Sequence, residues 1–249
     1  MTKPDFYKKV EWSAPSHVLA YTTFRSGGMS EGPYASLNVG NHVGDKLAHV
    51  DHNRSLLPFS QQIHWLNQTH SNHVIELPAK EHNADATFTS QAGVMCAVMT
   101  ADCVPVLLTD TKGEIVAAVH AGMKGLKDQI IVNTVDKAFN NVSRNQIIAW
   151  VGPHIGVCHY EISEKEALPF SNIASASSPS VNPGKVMLNL GVIAQYQLNR
   201  LGIETVFDED QCTYCEDQLF FSYRRATHQG YKNCGRMVST IMLLEKSST

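Results

Sequence analysis

Cys103 and His120 stand at the outer ends of two apolar runs, "CVPVLLTD" and "EIVAAVHA", which the turn residues "TKG" separate. Two such runs around a short turn predict an antiparallel hairpin, in which the start of one strand faces the finish of the other. A thiol and an imidazole are thereby expected at one end of a sheet. Upstream, "LNQTHSNHV" offers His70 as a third member. A Cys-His-His set suits a borderline-soft ion such as zinc and leaves a coordination position open. Without a metal, His120 could instead hold Cys103 as a thiolate nucleophile. A cysteine at a strand start is also an ordinary small hydrophobe, and neither residue alone specifies a reaction.

The flanks of the pair carry further chemistry. Asp102 offers a carboxylate that could orient an imidazole or a main-chain turn. Gly122 and Gly125 bracket Met123-Lys124 between His120 and a helix start. That arrangement allows backbone amides to face an anion, although it equally describes a tight strand-to-helix turn.

The positioning elements follow from patterning. "HVLAYTTF", "IHWLNQ", "ATFTS", "GVMCAVMTA", "CVPVLLTD", "EIVAAVHA", "QIIAWVGP", "IETVF", "LFFSY" and "RMVSTIMLL" read as strands. The two central runs, apolar at nearly every position, predict strands covered on both faces. Asp45 is a suitable N-cap for a helix over 46–58. Leu126, Ile130, Ile131, Val132, Val135 and Phe139 recur at helical spacing, predicting an amphipathic helix over 126–140. "SEKEALPF" starts a short helix, "SNIASASSPSVNPG" reads as a surface loop, and "KVMLNLGVIAQYQLNRLG" reads as a helix stopped by Gly202. One α/β domain with a mixed sheet, spanning 1–249, is the economical expectation.

Composition narrows the function classes. The chain has 249 residues, 43% hydrophobic and 17% charged, as in an ordinary globular protein. Its formal net charge of -3 gives no reason to expect nucleic acid or an anionic membrane as partner. No apolar run approaches the roughly 18 residues that span a bilayer, and "MTKPDFYKKVEW" has no apolar core resembling a secretory signal. A cytoplasmic location is expected, with the six cysteines as thiols, ligands or nucleophiles rather than disulfides.

Taken in order, "RSGGMSEGPYASLNVGNHVGD", "NQTHS", "TADCVPVLL", "VHAGMKG", "VGPHIGVCHYEI" and "CTYCEDQLFFSYRR…GR" resemble the YfiH-type family, also labelled polyphenol oxidase or laccase-like and regarded as purine nucleoside phosphorylases. The resemblance runs from about Thr22 onward. It implies a single-domain mixed-sheet sandwich with helices, related to the catalytic domain of cytotoxic necrotising factor. It also implies one metal, zinc or else copper, on His70, Cys103 and His120. The implied activity is phosphorolysis of adenosine, inosine, guanosine and methylthioadenosine, with adenosine deamination beside it. Purine nucleosides and phosphate are the expected partners, and a monomer the expected state. A cysteine hydrolase or amidase acting on a peptidoglycan precursor, or a copper-dependent polyphenol oxidase, is the alternative. Where the family often reads "HAGWRG", this chain reads "HAGMKG". Met123 lacks an aromatic face, and Lys124 keeps the charge without the bidentate fork of arginine.

Arg25, Lys124, Arg224 and Asp102 are the candidates to hold phosphate or substrate, with Arg236 a weaker one. Cys158 and His159 are expected near the site without being its ligands, and His42 and His73 outside the ligand set. The lone CxxC of Cys212 and Cys215 reads as a structural or locally reactive thiol pair rather than a zinc site.

Overall fold

The computed structural model describes residues 6–245. Its strands are Tyr7–Lys9 (β1), Val18–Thr23 (β2), Val74–Glu76 (β3), Ala86–Thr89 (β4), Met95–Thr100 (β5), Val104–Asp110 (β6), Val116–Ala121 (β7), Ile147–Val151 (β8), Glu161–Ser163 (β9), Ser177–Pro179 (β10), Lys185–Leu188 (β11), Thr205–Asp208 (β12) and Met237–Leu243 (β13). The helices are Leu47–Ser55 (α1), Met123–Lys127 (α2), Ile130–Ala138 (α3), Glu164–Ala167 (α4), Leu190–Arg200 (α5) and Tyr223–His228 (α6). The central sheet is mixed and six-stranded, in the order β12-β8-β6-β7-β4-β3. A four-stranded sheet, β1-β2-β13-β5, packs on one face of it, and a small third sheet runs β10-β11-β9.

The apolar runs of β6 and β7 serve two layers at once. Val106, Leu108, Ala117 and Val119 face Leu126, Ile130, Ile131 and Val135 of the helices. Leu107, Val116 and Ala118 face Val98, Ile241 and Trp150 in the core between the sheets. Strict alternation with both faces buried yields a sequence that is apolar throughout. The strands pair antiparallel, with Pro105 opposite His120 and Val104 opposite Ala121. Cys103 therefore lies just outside the last rung, one position beyond Val104.

Several elements differ from the sequence expectation. The helix over 126–140 is two helices, because Gln129 takes a left-handed backbone (φ 62°) between α2 and α3. Within α3, Ile130, Ile131, Thr134, Val135 and Ala138 form one buried face. "IHWLNQ" is not a strand. Ile63 bridges Met95, and the Gln68 side-chain amide takes the place of a strand partner, accepting from Met99 N (2.7 Å) and donating to Met99 O (2.8 Å). Nor is "LFFSY" a strand: Ser222 caps α6 by accepting from Arg225 N. The run from Lys185 divides into β11 and α5 because Asn189 caps the helix, accepting from Val192 N. The serine-rich loop contains β10. Lys46 holds the N-cap position of α1 without a side-chain cap, while Asp45 accepts from Lys46 N and the Asn38 amide. No described helix is long and apolar enough to cross a membrane.

Candidate metal centre

The hairpin places Cys103 and His120 at one rim of the central sheet, and the turn before β3 carries His70 to them. Cys103 Sγ is 3.7 Å from His70 Nε2. The two imidazoles meet edge to face, with centroids 4.9 Å apart. One donor atom from each of the three residues lies within 4.8 Å of the others. Ligands at the usual zinc bond lengths sit about 3.4–3.8 Å apart around a tetrahedral ion, so the donor set fits an ion with small adjustment. Gly122 makes that convergence possible. A Cβ there would stand 2.8 Å from Cys103 Sγ and 3.0 Å from His70 Cδ2. Gly122→Ala is therefore expected to displace the sulfur and an imidazole, lowering metal content at least about tenfold. Elemental analysis of the purified variant beside a melting curve checks this; full metal occupancy would contradict it.

A carboxylate that sequence reading passed over organises the trio. Asp85 lies in the residues leading into β4, fully buried. Its Oδ1 accepts from His120 Nδ1 (2.8 Å) and His70 N (3.0 Å), while Oδ2 accepts from Ser71 N and Ser71 Oγ (both 2.6 Å) and from Thr69 N (3.2 Å). One side chain thus fixes the His120 tautomer, leaving Nε2 for the site, and holds His70 in its left-handed backbone (φ 57°). Burial raises the Asp85 carboxyl, but hydrogen bonds from His120 and Ser71 and the His120 charge outweigh it and bring it to about 2. The only sequence signal was an aspartate beside an apolar strand.

Burial likewise raises the Cys103 thiol, yet the charge and hydrogen bonds of His120, with His70 behind them, pull it down to about 6. Burial lowers the His120 imidazole, whereas Cys103 and Asp85 raise it to about 9. The pair favours the thiolate, the form that both a metal ligand and a nucleophile require.

These groups form one wall of a cavity of about 540 Å³, lined also by His42, Gln68, Tyr160, Tyr223, Arg224 and Arg236. Its size suits a small-molecule ligand. Arg224 stacks over Tyr160, and its Nη1 donates to the His159 and Glu161 carbonyls. Burial and the neighbouring charges of Arg236 and Arg54 keep His42 below the ordinary histidine value, favouring its neutral form.

Among the other residues singled out in the sequence, Asp102 and His42 line the cavity, whereas Arg25 and Lys124 do not. Asp102 does not orient His120: its carboxylate accepts from Thr213 Oγ1 (2.7 Å) and Arg224 N (2.7 Å), and its carbonyl accepts from Ile155 N. Arg25 is not in the cavity, because its guanidinium is bound by the Ala35 and Asp217 carbonyls and lies over Phe221. Lys124 points outward from α2 and pairs with Asp128, so it lines no part of the cavity. His42, expected to lie outside the ligand set, lines the wall without being one of the three converging donors. Sequence reading also missed Tyr160 and Tyr223, whose positions depend on loop packing rather than on spacing.

Comparison with known proteins matches the chain to one family. The family model described as multi-copper polyphenol oxidoreductase laccase matches residues 19–244. A relative from Haemophilus influenzae named purine nucleoside phosphorylase is 41% identical over 241 residues, covering 92% of this chain and 96% of that protein. Purine nucleoside phosphorylase YfiH from Escherichia coli K12 is 38% identical over 243 residues, covering 94% and 97%. The crystal structure of Neisseria meningitidis protein NMB0706 superposes with a TM-score of 0.87 at 36% identity, covering 96% of this chain and 99% of that one. On these grounds the chain belongs to the laccase-like YfiH-type family.

Proposed function

We propose that this chain, as one catalytic domain over 1–249, is a metal-dependent purine nucleoside phosphorylase with an adenosine deaminase side activity. The observation that carries the reading is the convergence of His70, Cys103 and His120 on one wall of a cavity that also presents Arg224, Arg236, Tyr160 and Tyr223. The names of the Haemophilus influenzae and Escherichia coli relatives supply the substrate class. In the proposed phosphorolysis, a phosphate oxygen bonds to C1′ of the ribose as the C1′–N bond to the base breaks, and the proton of the hydrogen phosphate passes to the departing base nitrogen, releasing free base and ribose 1-phosphate.

His70, Cys103 and His120 would hold the ion: two imidazoles and one thiolate suit the borderline softness of zinc and leave its fourth position open, and the same donor set also serves copper. When bound, it supplies Lewis acidity at the coordination position that the protein leaves open. Arg224, anchored through Nη1, keeps its remaining N–H groups for a phosphate oxygen. Tyr160 and Tyr223 offer ring faces to a base. Neutral His42 is a proton acceptor at the wall. A metal-free cysteine hydrolase is the second reading, favoured by the Cys103 thiolate beside His120.

A nucleoside screen with and without phosphate tests the proposal. Phosphate-dependent ribose 1-phosphate from adenosine, inosine or guanosine supports it, and turnover that survives complete metal removal points to the hydrolase. Arg224→Gln is expected to raise the KM for phosphate by about tenfold or more, the worth of one charge-assisted hydrogen bond. Lys124→Ala should leave it unchanged, since an exposed i,i+4 pair contributes little. Steady-state kinetics at varied phosphate separates the two.

A further inference from the structure

Outside the cavity, two loops bring four more ligating side chains together. Cys158 and His159 follow β8, and Cys212 and Cys215 follow β12. One ligand atom from each lies within 4.8 Å of all the others. The separations are 3.5 Å for Cys158 Sγ to Cys215 Sγ, 3.9 Å for Cys158 Sγ to Cys212 Sγ, 3.5 Å for Cys215 Sγ to His159 Nδ1 and 3.1 Å for His159 Nδ1 to Cys158 Sγ. A disulfide needs sulfurs at about 2.05 Å, and pairing two of three thiols would leave the third and the histidine without a role. The edges of a tetrahedral thiolate–imidazole zinc site are about 3.5–3.8 Å long, and most of the observed separations fall at or close to that length.

The surroundings are shaped for the same purpose. Gly156 donates its N–H to Cys212 Sγ (3.1 Å), and a Cβ there would press on both Cys212 Sγ (3.2 Å) and Cys158 Sγ (3.3 Å). The His159 ring stacks on Tyr214, with centroids 3.8 Å apart and planes 12° apart, so Nδ1 is held toward the sulfurs. Tyr214 is fixed in turn by His228 Nδ1 on its hydroxyl (3.0 Å).

The geometry points to a second zinc site, closed by Cys158, His159, Cys212 and Cys215 and structural rather than catalytic. A closed three-thiolate, one-imidazole shell leaves no position for substrate. The ion would clamp the loop after β8 to the loop after β12. Both loops support the cavity wall: the His159 carbonyl receives Arg224 Nη1, and the Thr213 and Tyr214 carbonyls receive Arg225 Nη1. The lone CxxC of the sequence thus finds its partners in a Cys-His pair, with Cys158 54 positions away from Cys212.

The test is made in a Cys103→Ser background, so that the first centre cannot supply the signal. Full-length protein is stripped under reducing conditions and titrated with Co²⁺, then with Zn²⁺. One equivalent of tetrahedral cobalt with strong thiolate-to-cobalt charge transfer, displaced by zinc, is expected. Adding Cys158→Ala or Cys215→Ala, both at exposed positions, should weaken cobalt binding by at least about tenfold. Absence of the charge-transfer band would overturn the inference. So would a disulfide among the three thiols in the purified protein, or alkylation of Cys158 and Cys215 that zinc does not slow. Loss of metal at the first centre alone would leave this band intact, so the two readings fail separately.

Discussion

Cys103→Ala is expected to abolish phosphorolysis and deamination together, by about a thousandfold or more, and to remove one equivalent of metal. The thiol lies just before β6, outside its hydrogen-bonded rungs, and it is half-buried. Its loss therefore removes a ligand without opening the core, and the melting temperature of the metal-free forms should change little. Activity and metal content measured on the same preparation decide the matter. Phosphorolysis at the wild-type rate would refute the assignment of Cys103. Loss of activity with metal fully retained would move the thiol from ligand to nucleophile.

Asp85→Asn is expected to damage both fold and site. The carboxylate receives two backbone N–H groups and a hydroxyl through Oδ2, and a backbone N–H and an imidazole through Oδ1. An amide nitrogen in place of either oxygen turns a donor toward donors in a dry environment. The expected loss is about 3 kcal/mol of stability and about 10- to 100-fold in metal affinity, because His120 loses the partner that sets its tautomer. The pH response gives a second readout. The folded carboxyl sits at about 2 rather than the ordinary 3.8. Its contribution is therefore complete above the ordinary value and is lost as pH falls from there toward 2. Melting curves across that interval should show this acid-side decline in the parent protein and its absence in Asp85→Asn. An unchanged decline in the variant would assign it to other carboxylates.

The sequence made some of this legible for definite physical reasons. Hairpin topology follows from two apolar runs around a short turn, and antiparallel pairing then puts Cys103 close to the rung of His120. Local spacing could not reveal Asp85, because its partners at 69–71 and 120 come from different segments. Asp102 looked like the better orienting carboxylate only because it is adjacent in sequence. Arg25 and Lys124 drew attention through neighbouring glycines and charge, but their side chains are occupied by carbonyls and by Asp128. Helix ends depart from the pattern where Asn189 and Ser222 cap through their side chains, and where the backbone of Gln129 turns left-handed. The Cys158–Cys215 cluster depends on two loops meeting, which no single window of sequence contains.

Asp102, in a left-handed backbone (φ 100°), fastens three segments next to the sulfur: the loop at Ile155, the loop at Thr213 and the first turn of α6 at Arg224. It works like the pin of a hinge shared by two doors. If the outer loops shift, the neighbouring Cys103 thiol shifts with them, and a ligand that draws in the arginine tugs on the same joint. A substitution in any one of those loops is therefore felt, through that joint, at the sulfur.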